Sequence, residues 1–138
     1  DTPISRVTTV AGLRPYKLGA QVGTTSYDYI TRFIRPSQSA AVYDSNNDAI
    51  SALNAGQIDG IVVDLPTAFF VVAVQLDDGT IVGKLPQRGA REQFGMVFEK
   101  GSGLVKCVNR ALNRLWANGT IKGLQRKYLA QAGAPDLR

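Results

Sequence analysis

Short apolar runs that end at a glycine or an aspartate and then give way to amphipathic segments recur along this chain, and that alternation most limits the folds open to it. Strand-length runs separated by helix-period segments are the mark of an α/β protein with parallel strands, because parallel neighbours need a crossover between them. Lys17 to Val22 reads as a strand entering a tight turn at Gly23. The helix that follows places Tyr27, Ile30 and Ile34 on one face and must end before Pro36.

The same punctuation continues. Ala40 to Tyr43 is a second short strand, and Asp48 to Ala55 a helix started by Asn46 or Asn47 and closed by Gly56, with Ile50 and Leu53 facing inward. Ile58 to Val63 is apolar apart from Asp59-Gly60, as expected of a central strand covered on both faces. Pro66 opens a third helix, where its fixed φ and missing N–H do no harm. The run Ala68 to Val74 is apolar all round, so this helix must be buried on most sides or must meet a partner. Asp78-Gly79 turns the chain toward a fourth strand at Ile81 to Leu85, and Phe94 to Glu99 is a fifth. Leu104, Val105, Val108, Ala111, Leu112, Leu115 and Trp116 form a helical stripe stopped at Asn118-Gly119. Thr120 can cap a last helix carrying Ile121, Leu124, Tyr128 and Leu129, and the tail from Gln131 is expected to be loose.

Residue types narrow the chemistry. Histidine is absent, which removes the commonest general base and metal ligand, and with them histidine-based triads and zinc sites. Cys107 is the single cysteine, so no internal disulfide can form, and its apolar neighbours Leu104, Val105, Val108 and Leu112 suggest a buried structural thiol. Asp44 and the Asp77-Asp78 pair lack metal-loop spacing and read as turn residues. No metal, cofactor or catalytic residue is implied. No apolar run reaches the ~18 residues of a membrane span, and the opening Asp1-Thr2-Pro3 reads as the interior of something longer, with any secretion signal upstream. Charge is uneven: residues 1–99 sum to −2 and residues 100–138 to +7. Lys106, Arg110 and Arg114 recur every four residues opposite the apolar stripe with no aromatic interleaving, the pattern of a solvated helix face and not of a nucleic-acid platform.

Two places could hold a ligand. At Gly23-Thr24-Thr25-Ser26 a strand runs into a glycine and then a helix start, whose unpaired N–H groups and dipole favour an anion. The plain alternative is a helix cap, with Thr25 and Asp28 as a capping box. No Walker lysine accompanies the turn, so a nucleotide phosphate is a poor fit. Asp64 follows Ile58 to Val63 at a strand's carboxyl end, where ligands gather in open α/β sheets. Its carboxylate needs a partner, either a protein N–H near Pro66 or a ligand ammonium. Together the two places make a dipolar receptor matching an α-amino-acid zwitterion. Gln21 is placed to meet the ligand's side chain or to face water.

These residues also carry a resemblance. Lys17–Tyr29 (KLGAQVGTTSYDY), Val42–Ser45 (VYDS) and Ala49–Asp64 (AISALNAGQIDGIVVD) resemble the family 3 extracellular solute-binding proteins, the polar amino-acid receptors of ABC importers. Phe94–Lys100 (FGMVFEK) and Leu112–Lys122 (LNRLWANGTIK) are similar to that family's closing strand and final helices. The resemblance implies a lobe of the type II periplasmic-binding-protein fold, three layers around a mostly parallel five-strand sheet. It assigns residues 1–93 to the second, ligand-binding lobe and 94–138 to the strand and helices that return to the first lobe, which this chain lacks. Thr25 and the backbone at Gly23 and Thr24 would hold the ligand carboxylate, Asp64 the ammonium, and Gln21 the side chain. The implied partners are an amino acid, a transporter permease and no nucleic acid, outside the cytoplasm in the periplasm or at the cell surface. Residues 94–138 would then close a self-contained sheet or exchange into an intertwined dimer. The same architecture also serves signalling receptors and regulators, and occasionally a cyclohexadienyl-dehydratase-like enzyme, for which Asp64 without histidine is a weak basis.

Overall fold

The computed structural model describes residues 2–89, 94–128 and 134–138. The chain divides into two compact units, Asp1–Pro86 with Ala134–Arg138, and Gln87–Gly133. The expected boundary after residue 93 adjoins residues 90–93 and lies, with them and Leu129, outside the described residues.

The first unit is α/β, with a parallel sheet flanked by helices. Strand β1 (Leu18–Gln21) leads through Gly23 into helix α1 (Thr25–Tyr29), which continues as a π-helical turn over Ile30–Ile34. Then come β2 (Ala41–Tyr43), α2 (Asn46–Asn54), β3 (Gly60–Ile61) and α3 (Leu65–Phe70), which also winds into a π-helical turn, Val71–Gln75. The strand order is β2-β1-β3 and both pairings are parallel. β1 is therefore the central strand, and the segment expected at the centre, Ile58 to Val63, forms the β3 edge. It contributes only two ladder residues and is half-buried from Gly60 to Val63, with only Ile58 buried as expected of a core strand. Asp59 explains where pairing begins: its carboxylate accepts the Lys17 N–H at 2.7 Å and its own N–H donates to the Lys17 carbonyl at 2.8 Å. That clasp holds the side-by-side start of β1 and β3.

Ile30 and Ile34 are fully buried, as their spacing predicted, and Tyr27 packs against the same core. Burying each isoleucine contributes roughly 1.5–3 kcal/mol. Leu18 and Ala20 on β1 and Ala49, Ile50 and Ala52 on α2 are also buried within elements the pattern predicts, whereas Ile4, Val10, Leu13 and Leu137 come from segments with no periodic signal. Ile4 sits in a 3-10 turn over Pro3–Arg6 and Leu13 in another over Ala11–Leu13, and with Val10 both join Leu18, Ala20 and Leu137.

Leu137 overturns the expectation of a loose tail from Gln131: residues 131–133 lie outside the described residues, but Ala134–Arg138 belongs to the first unit. The segment expected as a fourth strand meets this tail instead of the sheet. Lys84 donates its N–H to the Pro135 carbonyl at 2.7 Å and accepts from Leu137 N–H at 2.9 Å, in a single parallel bridge with Asp136. A Lys84–Asp136 ion pair at 3.0 Å backs it. Close approach here requires Gly83, where a Cβ would stand 2.6 Å from Leu137 Cγ. The sheet thus has three strands among the described residues rather than five. Phe94 to Glu99, expected as the fifth, forms no strand, and Phe94 and Val97 are 85% and 98% exposed.

The second unit contains α4 (Leu104–Ala117) and α5 (Thr120–Tyr128) at the expected positions. Neither buries a residue. Cys107 is exposed, which corrects the expectation of a buried thiol: its apolar neighbours lie along a helix whose stripe is not covered. No helix among the described residues is long and apolar enough to cross a membrane.

Candidate functional site

The carboxyl edge of the sheet is where three helices begin. Each of the strands β1, β2 and β3 runs into a polar residue that caps the next helix: Thr24 for α1, Ser45 for α2 and Asp64 for α3. Strand order reverses at β1, since the chain passes from β1 to β2 on one side and then across to β3 on the other. At such a switch point the connections diverge, and a crevice opens outside the carboxyl ends of the strands flanking it.

Register sets the residues level. Gly19 pairs with Ile61, and the Val62 N–H reaches the Gly19 carbonyl at 2.9 Å. Extended three residues beyond Ile61, where the ladder ends, the same register would set Val22 opposite Asp64. On the other side Gln21 pairs with Tyr43, and the Val22 N–H donates to the Tyr43 carbonyl at 2.8 Å, which brings Asp44 to the same level. Neighbouring strands are about 4.8 Å apart, so the exits of β1, β2 and β3 stand within the span of one small molecule.

Gly23 adopts φ +70°, the left-handed conformation in which glycine carries no Cβ penalty, and nothing crowds the site of its missing Cβ. Thr24 then returns to extended backbone as the cap. Its hydroxyl donates to the Gln21 carbonyl at 2.7 Å and accepts the Tyr27 N–H at 3.2 Å. The cap is therefore Thr24 and not Thr25, and the expected Thr25–Asp28 capping box does not form, because the Gly23 turn ends one residue earlier than that box needs. Thr25 becomes the first helical residue, exposed, and no acceptor within the first turn can take the N–H groups of Thr25 and Ser26. Those two N–H groups lie at the N-terminal end of α1, where the helix dipole is positive.

Asp64 is exposed and caps α3. One carboxylate oxygen accepts the Thr67 N–H at 3.1 Å and the other the Thr67 hydroxyl at 2.7 Å. Its protein partner is thus Thr67, one residue beyond Pro66. A carboxylate has about four acceptor positions, so two remain for a donor from outside. The Gln21 amide donates to the Asp44 carbonyl at 3.2 Å, which draws its side chain toward β2. Asp44 and Ser45 are the residues at this edge that the sequence did not single out as a site. The signal for Ser45 was present, since its hydroxyl accepts the Asp48 N–H at 3.2 Å and donates to the Asp48 carboxylate at 2.7 Å, a serine-to-acid spacing of three. No cluster of three or more potential metal ligands exists among the described residues.

The chain matches no protein-family model and no curated protein. Over 94% of its length it is similar to a solved structure, the substrate binding protein of a polar amino acid ABC uptake transporter from Streptococcus thermophilus, at 24% identity and a TM-score of 0.48. The chain spans 52% of that protein.

Proposed function

We propose that the first unit binds an α-amino acid, polar or charged, at the carboxyl edge of its sheet. The ligand carboxylate takes the N–H groups after Gly23 and Thr24 and the Thr25 hydroxyl; the ammonium takes the free acceptor positions of Asp64. Gln21 lies beside the ligand's side chain through its amide oxygen. The observation that supports this reading is the parallel pairing of β1 with β3 at the switch point, after which β1 leads into the Gly23 turn and β3 into the chain that reaches Asp64. The motifs Lys17–Tyr29 and Ala49–Asp64 support the further reading that the chain serves as the ligand-binding lobe of a substrate receptor for an ABC importer, working outside the cytoplasm with a permease partner. The role is binding and not catalysis.

Gly23, Thr25 and Asp64 are all exposed, so ligand held by this edge alone keeps much of its surface in water and binds weakly. Ligand-observed NMR tests the chemistry: L-glutamine or L-arginine should show saturation transfer, whereas the matching amine without its carboxylate and the acid without its amine should not. Equal transfer to the singly charged analogues would contradict a zwitterion site.

A further inference from the structure

The strap Ala134–Arg138 is held the way a bound peptide is held, between two other segments of the first unit. On one side Lys84 donates its N–H to the Pro135 carbonyl and accepts from the Leu137 N–H. On the other, the Arg138 N–H donates to the Thr8 carbonyl at 3.1 Å and the Arg138 carbonyl accepts the Val10 N–H at 2.9 Å. These bonds use main-chain groups of the strap and reach partners distant in sequence. Leu137 is buried in one core cluster with Ile4, Val10, Leu13 and Leu18, while Pro135, Asp136 and Arg138 stay exposed. Main-chain bonds along an extended segment, with an anchor side chain in a pocket, are the physics of peptide recognition by strand addition.

Gly83 shapes the seat. A Cβ there would crowd Leu137 Cγ at 2.6 Å and Cδ2 at 2.9 Å, and the Pro135 carbonyl oxygen at 3.0 Å. The strap's tether to this seat runs through residues 87–133, a separate compact unit. The seat makes identical contacts with the strap of its own copy and with that of another, so the tether's effective concentration, of about millimolar order or less, decides between them. We infer that the seat formed by Thr8, Val10, Gly83 and Lys84 is an exchangeable peptide site whose second occupant is the strap of another copy of this chain. Two copies then trade straps reciprocally about a two-fold axis, each supplying Leu137 to the other's core.

Isotope-filtered NMR on a mixture of two differently labelled wild-type copies at about 1 mM tests this. NOEs are expected between the Leu137 methyls of one copy and the Gly83 α-protons of the other. Two full-length variants sharpen the test. Leu137→Ala keeps the seat and loses the anchor; Gly83→Val keeps the anchor and blocks the seat. Each alone should be monomeric with a lowered urea midpoint. Their mixture should sediment as a one-to-one dimer in which the Leu137→Ala copy regains part of its lost midpoint. If Gly83→Val does not fold, the capped peptide Ala-Pro-Asp-Leu-Arg takes its place and should raise the Leu137→Ala midpoint saturably, whereas the same peptide with alanine for leucine should not. The wild-type NOEs need neither variant to fold. Their absence overturns the inference, as does a mixture that stays monomeric. A dimer formed by Gly83→Val alone overturns it too, since its contacts lie outside the seat.

Discussion

Gly19 and Ile61 are paired in parallel, and from that one pairing the candidate site takes its shape. The register sets Ile61, the last residue of β3, beside Gly19 of β1, with the Gly23 turn following β1 and helix α3 following Asp64. Gly19 is also the tighter of the two glycines in the sheet, Gly19 and Gly60. A Cβ there would lie 2.8 Å from Ile58 Cδ1 and 2.9 Å from Tyr43 Cε2, between the side chains of both neighbouring segments.

Gly19→Ala should therefore destabilise the first unit by about 1–3 kcal/mol through overpacking. Urea denaturation followed by far-UV circular dichroism would measure it. An unchanged midpoint would mean that Ile58 and Tyr43 yield without cost.

Thr24 and Thr25 should separate cleanly. Thr24→Ala removes a cap hydroxyl with two partners and should cost about 1 kcal/mol. Thr25→Ala touches no hydrogen bond of the fold and should leave the urea midpoint in place while weakening ligand binding. The reverse pattern would move the cap back to Thr25.

Asp64→Asn should leave stability almost unchanged, because asparagine caps a helix about as well as aspartate. The charge that attracts an ammonium is lost, so amino-acid binding should fall about tenfold or more. Asp44→Asn is the matched control at the other strand exit, and should alter binding little.

The C-terminal strap should be structural. Leu137→Ala should cost about 2–5 kcal/mol, the range for a buried leucine. Asp136→Asn should cost under about 1 kcal/mol, since its ion pair with Lys84 is largely exposed. Equal losses would show that the ion pair, and not burial, holds the strap.

How far the sequence spoke is clearest residue by residue. Ile30 and Ile34 declared their helix face through spacing, and both are fully buried. Thr24 did not declare itself as the cap, because two adjacent threonines offer the same hydroxyl and only the Gly23 turn decides between them. Ile4, Leu13 and Leu137 gave no periodic signal, being single apolar anchors in 3-10 turns and a terminal strap whose partners are distant in sequence. Ile81 to Leu85 and Phe94 to Glu99 looked like strands since they are apolar and of strand length; pairing depends on a neighbour, which local pattern does not contain. At the site, Gly23, Thr25 and Asp64 were legible as a helix start and a strand end. The pairing of β1 with β3 was not, because the register between two strands is not a local property of either.

The most direct test is backbone amide NMR of the 138-residue chain titrated with a polar L-amino acid. Saturable shifts are expected, with a dissociation constant of about millimolar order, confined to the amides from Gly23 to Ser26 and from Asp64 to Thr67, and lost in Asp64→Asn. Absence of shifts at saturating ligand, or shifts that cluster away from the carboxyl edge of the sheet and persist in Asp64→Asn, would contradict amino-acid binding at that edge.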